Sequence, residues 1–158
     1  MNTDRDSIGA ALGRIPSGCM ILTAQNGECS TGLLVSWVQQ ASFEPPSVTV
    51  CLKCGRAVVQ LVDASQRFLL NVIGEDRGAM FRHFARGFSL GEEAFTGLRI
   101  EATQFGPMIH GCIAHLGCRV SQKIPVGDHD LYIAEVVAGS AVDGAKPYAH
   151  LRTSGLSY

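Results

Sequence analysis

The chain predicts a mainly β protein, an antiparallel barrel with short helices, and three observations carry that reading. Short apolar runs rich in β-branched residues recur along the sequence, separated by glycine, proline, asparagine and aspartate turn signals. Helical periodicity is confined to brief stretches. The composition, 46% apolar and 17% charged over 158 residues, is that of a compact chain able to bury one core. We therefore expect one domain over residues 1–158. Closing the sheet on itself removes the exposed edges that many short strands would otherwise leave.

The first segment, SIGAALGRI, reads as a short helix capped by Ser7. CMILTA follows as an apolar strand ended by Asn26-Gly27, and the hairpin returns as STGLLVSWV over residues 30–38. The polar stretch QQASFEPP is expected to bend, its two prolines stopping strand pairing and holding the chain extended. SVTVCL makes the third strand. Ala57, Val58, Leu61, Val62 and Ala64 then recur at helical spacing, and RFLLNVI returns to strand. GAMFRHFARGF reads as a second crossover helix with Met80, Phe81 and Phe84 on its apolar face and Gly87 ending it. The last part is a long hairpin, CIAHLGCRV and DLYIAEVVA, connected through residues 124–129.

Charge and targeting signals narrow the function. With 13 basic and 14 acidic side chains the net charge is −1, so no overall field favours nucleic acid or an anionic membrane surface. Acids stand near the start where a signal peptide needs cations, and no apolar run approaches the roughly 20 residues that cross a bilayer. A cytoplasmic protein is expected. The six cysteines, at positions 19, 29, 51, 54, 112 and 118, lie mostly in apolar runs and read as reduced core thiols.

The chemistry concentrates in FEPPSVTVCLKCGRA. Its CLKC pair lies between a strand and a helix, as a thiol-redox dithiol would, but no aromatic–cysteine dipeptide leads it and Cys51 reads as the inside of the strand. Lys53 and Arg56 stand where that strand ends and the helix starts. Free N–H groups and the positive end of the helix dipole would join the two side chains in seating an anion, Arg56 by a bidentate hydrogen bond and Lys53 as a point charge. An ordinary solvated pair of cations is the alternative. Upstream, Ser36, Gln39 and Ser42 with the backbone of SWVQQAS offer polar groups for the edge of a flat heterocycle, and Trp37 offers a ring to pack on it. His129, on a Gly127-Asp128 turn at the mouth of a strand, is placed to donate to an anionic ring or to sit in solvent. The other histidines give no metal-ligand spacing, and no metal is expected.

These motifs in this order (Thr23 with Gly27, STGLLVSWVQQASFEPPSVTV, CLKCGRAV, the FxxNV of residues 68–72, MFRHF and the GDH of Gly127-Asp128-His129) resemble the flavin reductase-like family. SWVQQASFEPP with RAV and NVI is similar to the C-terminal flavin reductase domain of cyanobacterial flavodiiron proteins. The resemblance implies an antiparallel FMN-binding split β-barrel of Greek-key type, a homodimer with flavin near the interface, and hydride transfer from NADH or NADPH as a transient reductant. It assigns the FMN phosphate to Lys53 and Arg56, and the ring and ribityl chain to Ser36, Trp37, Val38, Gln39 and Ser42. Ser30 and Thr31 would line the same site, with His129 and Phe84 on the ring's far side. FAD is a possible substitute for FMN, and a redox partner protein a possible acceptor. Trp37 departs from the small Ser or Ala that family members often carry there, which narrows the face a nicotinamide would approach.

Hydride chemistry belongs to the cofactor, which accounts for the lack of an evident acid–base pair, and no GxGxxG follows a strand to hold a dinucleotide permanently. Two other readings stand beside a flavin reductase: a non-enzymatic FMN electron carrier of the flavoredoxin kind, and a CxxC thiol redox protein.

Overall fold

The computed structural model describes residues 3–76 and 78–157. In chain order its elements are α1 (Thr3–Leu12), β1 (Ser17–Gly18), β2 (Met20–Asn26), β3 (Cys29–Val35), β4 (Val38–Phe43), β5 (Pro46–Lys53), α2 (Ala57–Ser65), β6 (Arg67–Val72), α3 (Gly78–Ala85), β7 (Ile100–Glu101), β8 (Met108–Ile109), β9 (Ala114–Val126), β10 (His129–Ala141) and β11 (Ala149–His150). Seven strands form one antiparallel sheet in the order β3-β2-β6-β9-β10-β5-β4, and β1 with β11 and β7 with β8 make two small ribbons. The mainly β, split-barrel expectation is met. No helix of the described residues is long and apolar enough to cross a membrane.

Alternation builds the core. On β5, Val48, Val50 and Leu52 point inward, whereas Ser47, Thr49, Cys51 and Lys53 take the other face. Val50 and Leu52 meet Leu22, Leu70, Tyr132 and Ala134 inside the barrel, and Val58, Leu61 and Val62 of α2 pack over them. A second cluster, Ile21, Ile73, Met80, Phe84 and Ile109, lies under α3. Strand β2 feeds both clusters, since Ile21 and Leu22 project to opposite faces.

The Thr23 and FxxNV motifs are the joint between these layers. Asn71, fully buried, donates through Nδ2 to the Ile21 carbonyl at 3.0 Å and to Thr23 Oγ1 at 3.2 Å, and accepts from the Ile109 N–H at 2.8 Å. Thr23 in turn donates to the Pro107 carbonyl at 2.7 Å. A buried amide with its partners satisfied in this way fixes register.

Several boundaries differ from expectation, each for a physical reason. Helix α1 starts at Thr3 rather than at Ser7, with Asp4 and Asp6 in its first turn where the helix dipole favours acids. The arm expected over residues 30–38 breaks after Val35, and Ser36 and Trp37 leave the strand. The double proline does not stop pairing: β4 and β5 pair out to Phe43 opposite Pro46, because the prolines sit at the turn and the strand start, where no ladder N–H is required. The final hairpin is longer than expected. Its strands run to a turn at Gly127-Asp128, with Gly127 at φ 60°, and Pro125 is tolerated because β6 pairs β9 only through Arg119, leaving the far part of β9 an edge. The cysteines also divide: Cys19, Cys112 and Cys118 are buried, Cys29 and Cys54 exposed, and Cys51 half-buried on the face away from the core.

Candidate functional site

The site grows from one switch of direction. Where β3 ends, the chain turns through Ser36 and Trp37 into β4, and the Trp37 carbonyl accepts the Cys51 N–H at 3.0 Å, tying that turn to the outer face of β5. Cys51 and Lys53 share this face. Three residues on, the chain enters α2 with Arg56 as N-cap at φ −69°, ψ 142° and no side chain capping the helix. Together with Phe81 of α3 these residues enclose a cavity of about 500 Å³. Among the described residues its lining contains Lys53, Arg56, His150 and Arg152 and no carboxylate.

A neighbouring cavity of about 450 Å³ shares Leu33 and Arg56 with the first and runs past the start of α2. Here Glu92 accepts from the Ser89 N–H at 2.5 Å and from Arg86 Nη1 at 3.3 Å, while Arg86 stacks on Phe88 at 4.1 Å. The Ser89 N–H, and after it Arg86, hold the Glu92 carboxyl below the usual range. A third cavity, about 280 Å³, shares Trp37 and Arg152 with the main one and is also lined by Leu12 and Ile15.

Of the residues expected to form the site, the structure brings Ser36, Trp37, Lys53 and Arg56 into the main cavity. His129 stands behind Trp37, its ring centroid 4.8 Å from the indole and its Nδ1 2.8 Å from Asp128 Oδ1. That contact with His129 lowers the Asp128 carboxyl pKa. Strand pairing sets His129 opposite Lys53. The remaining expected residues lie outside this cavity's lining. Val38 packs on the barrel core. Gln39 is exposed on β4, its carbonyl accepting from Thr49 Oγ1 at 3.4 Å, and Ser42 donates to the Glu44 carbonyl at 3.3 Å. Ser30 is half-buried on β3, and Thr31 is buried with its hydroxyl unpartnered. Phe84 is fully buried; a Cβ on Gly32 would meet its ring at 2.7 Å, so glycine there lets α3 close on β3.

The thiols of CLKC are not activated. Burial raises the Cys51 pKa; Cys54 is also raised, by desolvation first and then by Asp130, so neither is poised as the thiolate that dithiol chemistry requires.

Sequence reasoning missed Phe81 as a lining residue and, above all, His150 and Arg152. The segment carrying them is drawn in by the β1–β11 ribbon, Ser17 opposite His150 and Gly18 opposite Ala149, with the Cys19 N–H donating to the Tyr148 carbonyl at 3.1 Å. Arg152 lies 5.0 Å over the Trp37 ring and His150 packs 5.3 Å from Phe81. No spacing in the sequence announces a two-residue strand pairing across most of the chain.

Barrel and cavity define the class by shape: an antiparallel split barrel with a cation-lined cavity beside the start of α2. The comparisons then give the family. Residues 12–155 match the flavin reductase like domain, and the chain belongs to that family. It is 36% identical over 131 residues to diflavin flavoprotein A 1 of Synechocystis, covering 82% of this chain and 23% of that protein. The chain thus spans about a quarter of the length of the curated relatives it matches. Among solved structures it resembles nitrilotriacetate monooxygenase component B from Mycobacterium thermoresistibile, with TM-score 0.84 and 25% identity over 96% of this chain and 84% of that one. The fold also matches the NADH:FAD oxidoreductase of Streptomyces globisporus C-1027, with TM-score 0.83 and 23% identity over 91% and 86% of the two chains.

Proposed function

We propose that this chain is an NAD(P)H:flavin oxidoreductase that binds FMN in the main cavity and works as a cytoplasmic homodimer. One observation supports this most: a cavity of ring-binding size with two cations beside an uncapped helix start and no acid among the described residues of its lining. Lys53 and Arg56 bind the phosphate, helped by the first-turn amides of α2. Ser36 and the backbone of the turn orient the ring's polar edge, and Trp37, braced by His129, forms an apolar wall that excludes water. When bound, the flavin supplies the chemistry, accepting hydride from the nicotinamide ring. FMN over FAD is supported by Glu92, which holds Arg86 and the Ser89 N–H in the adjoining cavity and would repel a second phosphate placed there.

The dimer reading draws on edge strand β4, which carries Gln39 and Ser42 and ends in Phe43 at 89% exposure. A second reading, an electron carrier fed by a partner protein, draws on the Trp37 indole, which narrows the cavity wall to a nicotinamide. Anaerobic titration with FMN followed by steady-state oxidation of NADH and NADPH tests both. Micromolar binding with turnover on added flavin is expected. Binding without turnover on either nucleotide overturns the reductase in favour of the carrier, and absence of flavin binding overturns both.

A further inference from the structure

We propose that Arg152 makes this cavity select the reduced, anionic flavin over the oxidised one, an inference that rests on the flavin reading above. Lys53 and Arg56 cannot make that distinction, because the phosphate they face carries the same charge in both redox states. A discriminating cation must sit elsewhere on the cavity wall. Arg152 does: Arg56 with Leu33 lines the border with the cavity past α2, and Arg152 with Trp37 the border with the third cavity, so the two cations stand on different sides.

Its setting suits the task. Arg152 is half-buried, its guanidinium rests 5.0 Å over the Trp37 ring, and it has no ion pair with any described carboxylate. Arginine stays protonated at any working pH, and an unneutralised cation in a partly desolvated pocket attracts an anionic ring while leaving a neutral one nearly indifferent. Stacking on the indole holds the planar group in place without using its hydrogen-bond donors. The residue thereby acts on the cofactor's electronics through charge, one of the few levers a flavin site has.

The test is a pair of anaerobic titrations, with oxidised FMN and with dithionite-reduced FMN, on the wild type, Arg152→Gln and Arg152→Lys, with thermal melting to confirm that each is folded. The wild type is expected to bind reduced FMN more tightly than oxidised FMN. Arg152→Gln should lower that ratio about tenfold while oxidised FMN binding changes no more than about twofold, and Arg152→Lys, which keeps the charge, should retain most of the ratio. Equal weakening of both redox forms, no change in either, or a change confined to the KM for NADH or NADPH would overturn the assignment. A wild type that binds neither form would instead overturn the flavin reading, and this one with it.

Discussion

The two cationic sides of the cavity, its outlets toward the neighbouring cavities that share Arg56 and Arg152, are built in opposite ways. Lys53 and Arg56 lie three positions apart, one ending a strand and one starting a helix, and the barrel locks them: Lys53 pairs opposite His129, the Cys54 N–H donates to the Asp128 carbonyl at 3.0 Å, and Arg56 stands at the N-cap position of α2. His150 and Arg152 come from the other end of the chain. They hang on a two-residue ribbon and on close backbone approaches at Gly13 and Gly155. The first outlet is part of the seven-stranded sheet, whereas the second is tied outside it, by the ribbon and by the Gly155 N–H donating to the Gly9 carbonyl of α1 at 2.7 Å. Under the proposed function, the anchor for the constant phosphate charge sits on the sheet side and the group that responds to a changing ring charge on the other.

Breaking the rigid outlet should have the largest effect. Arg56→Ala is expected to weaken FMN ten- to a hundredfold, the loss of a charge-assisted hydrogen bond of about 1.5 to 3 kcal/mol, while riboflavin, lacking the phosphate, changes less than about threefold. Fluorescence titration with both ligands decides it, and equal weakening would remove Arg56 from the phosphate.

A next, smaller effect comes from pH and tests whether the barrel alone carries the rigidity. Burial pushes the Cys118 thiol, in the barrel core, from 9.0 to about 12. The folded state therefore holds a proton that the unfolded chain releases above pH 9, so this contribution to stability is fully present below pH 9 and is lost as pH rises through 9 to 12. Urea unfolding should lose about 1 kcal/mol per pH unit on entering that window, with Cys118→Ala showing a shallower slope. An identical slope in the variant would place the alkaline loss elsewhere.

Detaching the light outlet follows in size. A Cβ on Gly155 would lie 2.1 Å from Leu12 Cβ and 3.0 Å from its backbone, so Gly155→Ala must lift the segment from α1. The expected result is faster trypsin cleavage after Arg152 and about threefold weaker FMN, with the thermal midpoint of the barrel within a few degrees of wild type. Loss of the barrel transition itself would show that the two outlets are one cooperative unit.

The same contrast explains what the sequence could reveal. The rigid outlet was legible because its cations, its strand alternation and its helix start fall within one short stretch, and strand–helix–strand order is a local signal. Cys51 was misjudged because an apolar neighbourhood conceals which face a strand residue takes, and a one-residue shift reverses it. The prolines misled because their cost depends on whether the ladder needs their N–H, a tertiary fact. Arg152 was illegible: its position depends on a ribbon between residues 17–18 and 149–150 that no periodicity marks.

The smallest expected effect joins the outlets. Trp37 follows the end of β3 on the rigid side, touches His129 from the same sheet, and carries Arg152 from the light side on its ring. If the indole is the hinge between them, the stabilities of Trp37→Ala, Arg152→Ala and the double variant will not add. The shortfall should be about 0.5 to 1 kcal/mol, the size of a partly exposed cation–π contact, and should persist in high salt, where an ion pair would be screened. Coupling of Trp37 with His129 measured in the same way gives the control from within the sheet. If that cycle couples and the Arg152 cycle is additive, the light outlet only rests against the rigid one, and redox selection by Arg152 would have to act directly on the bound ring without help from the indole.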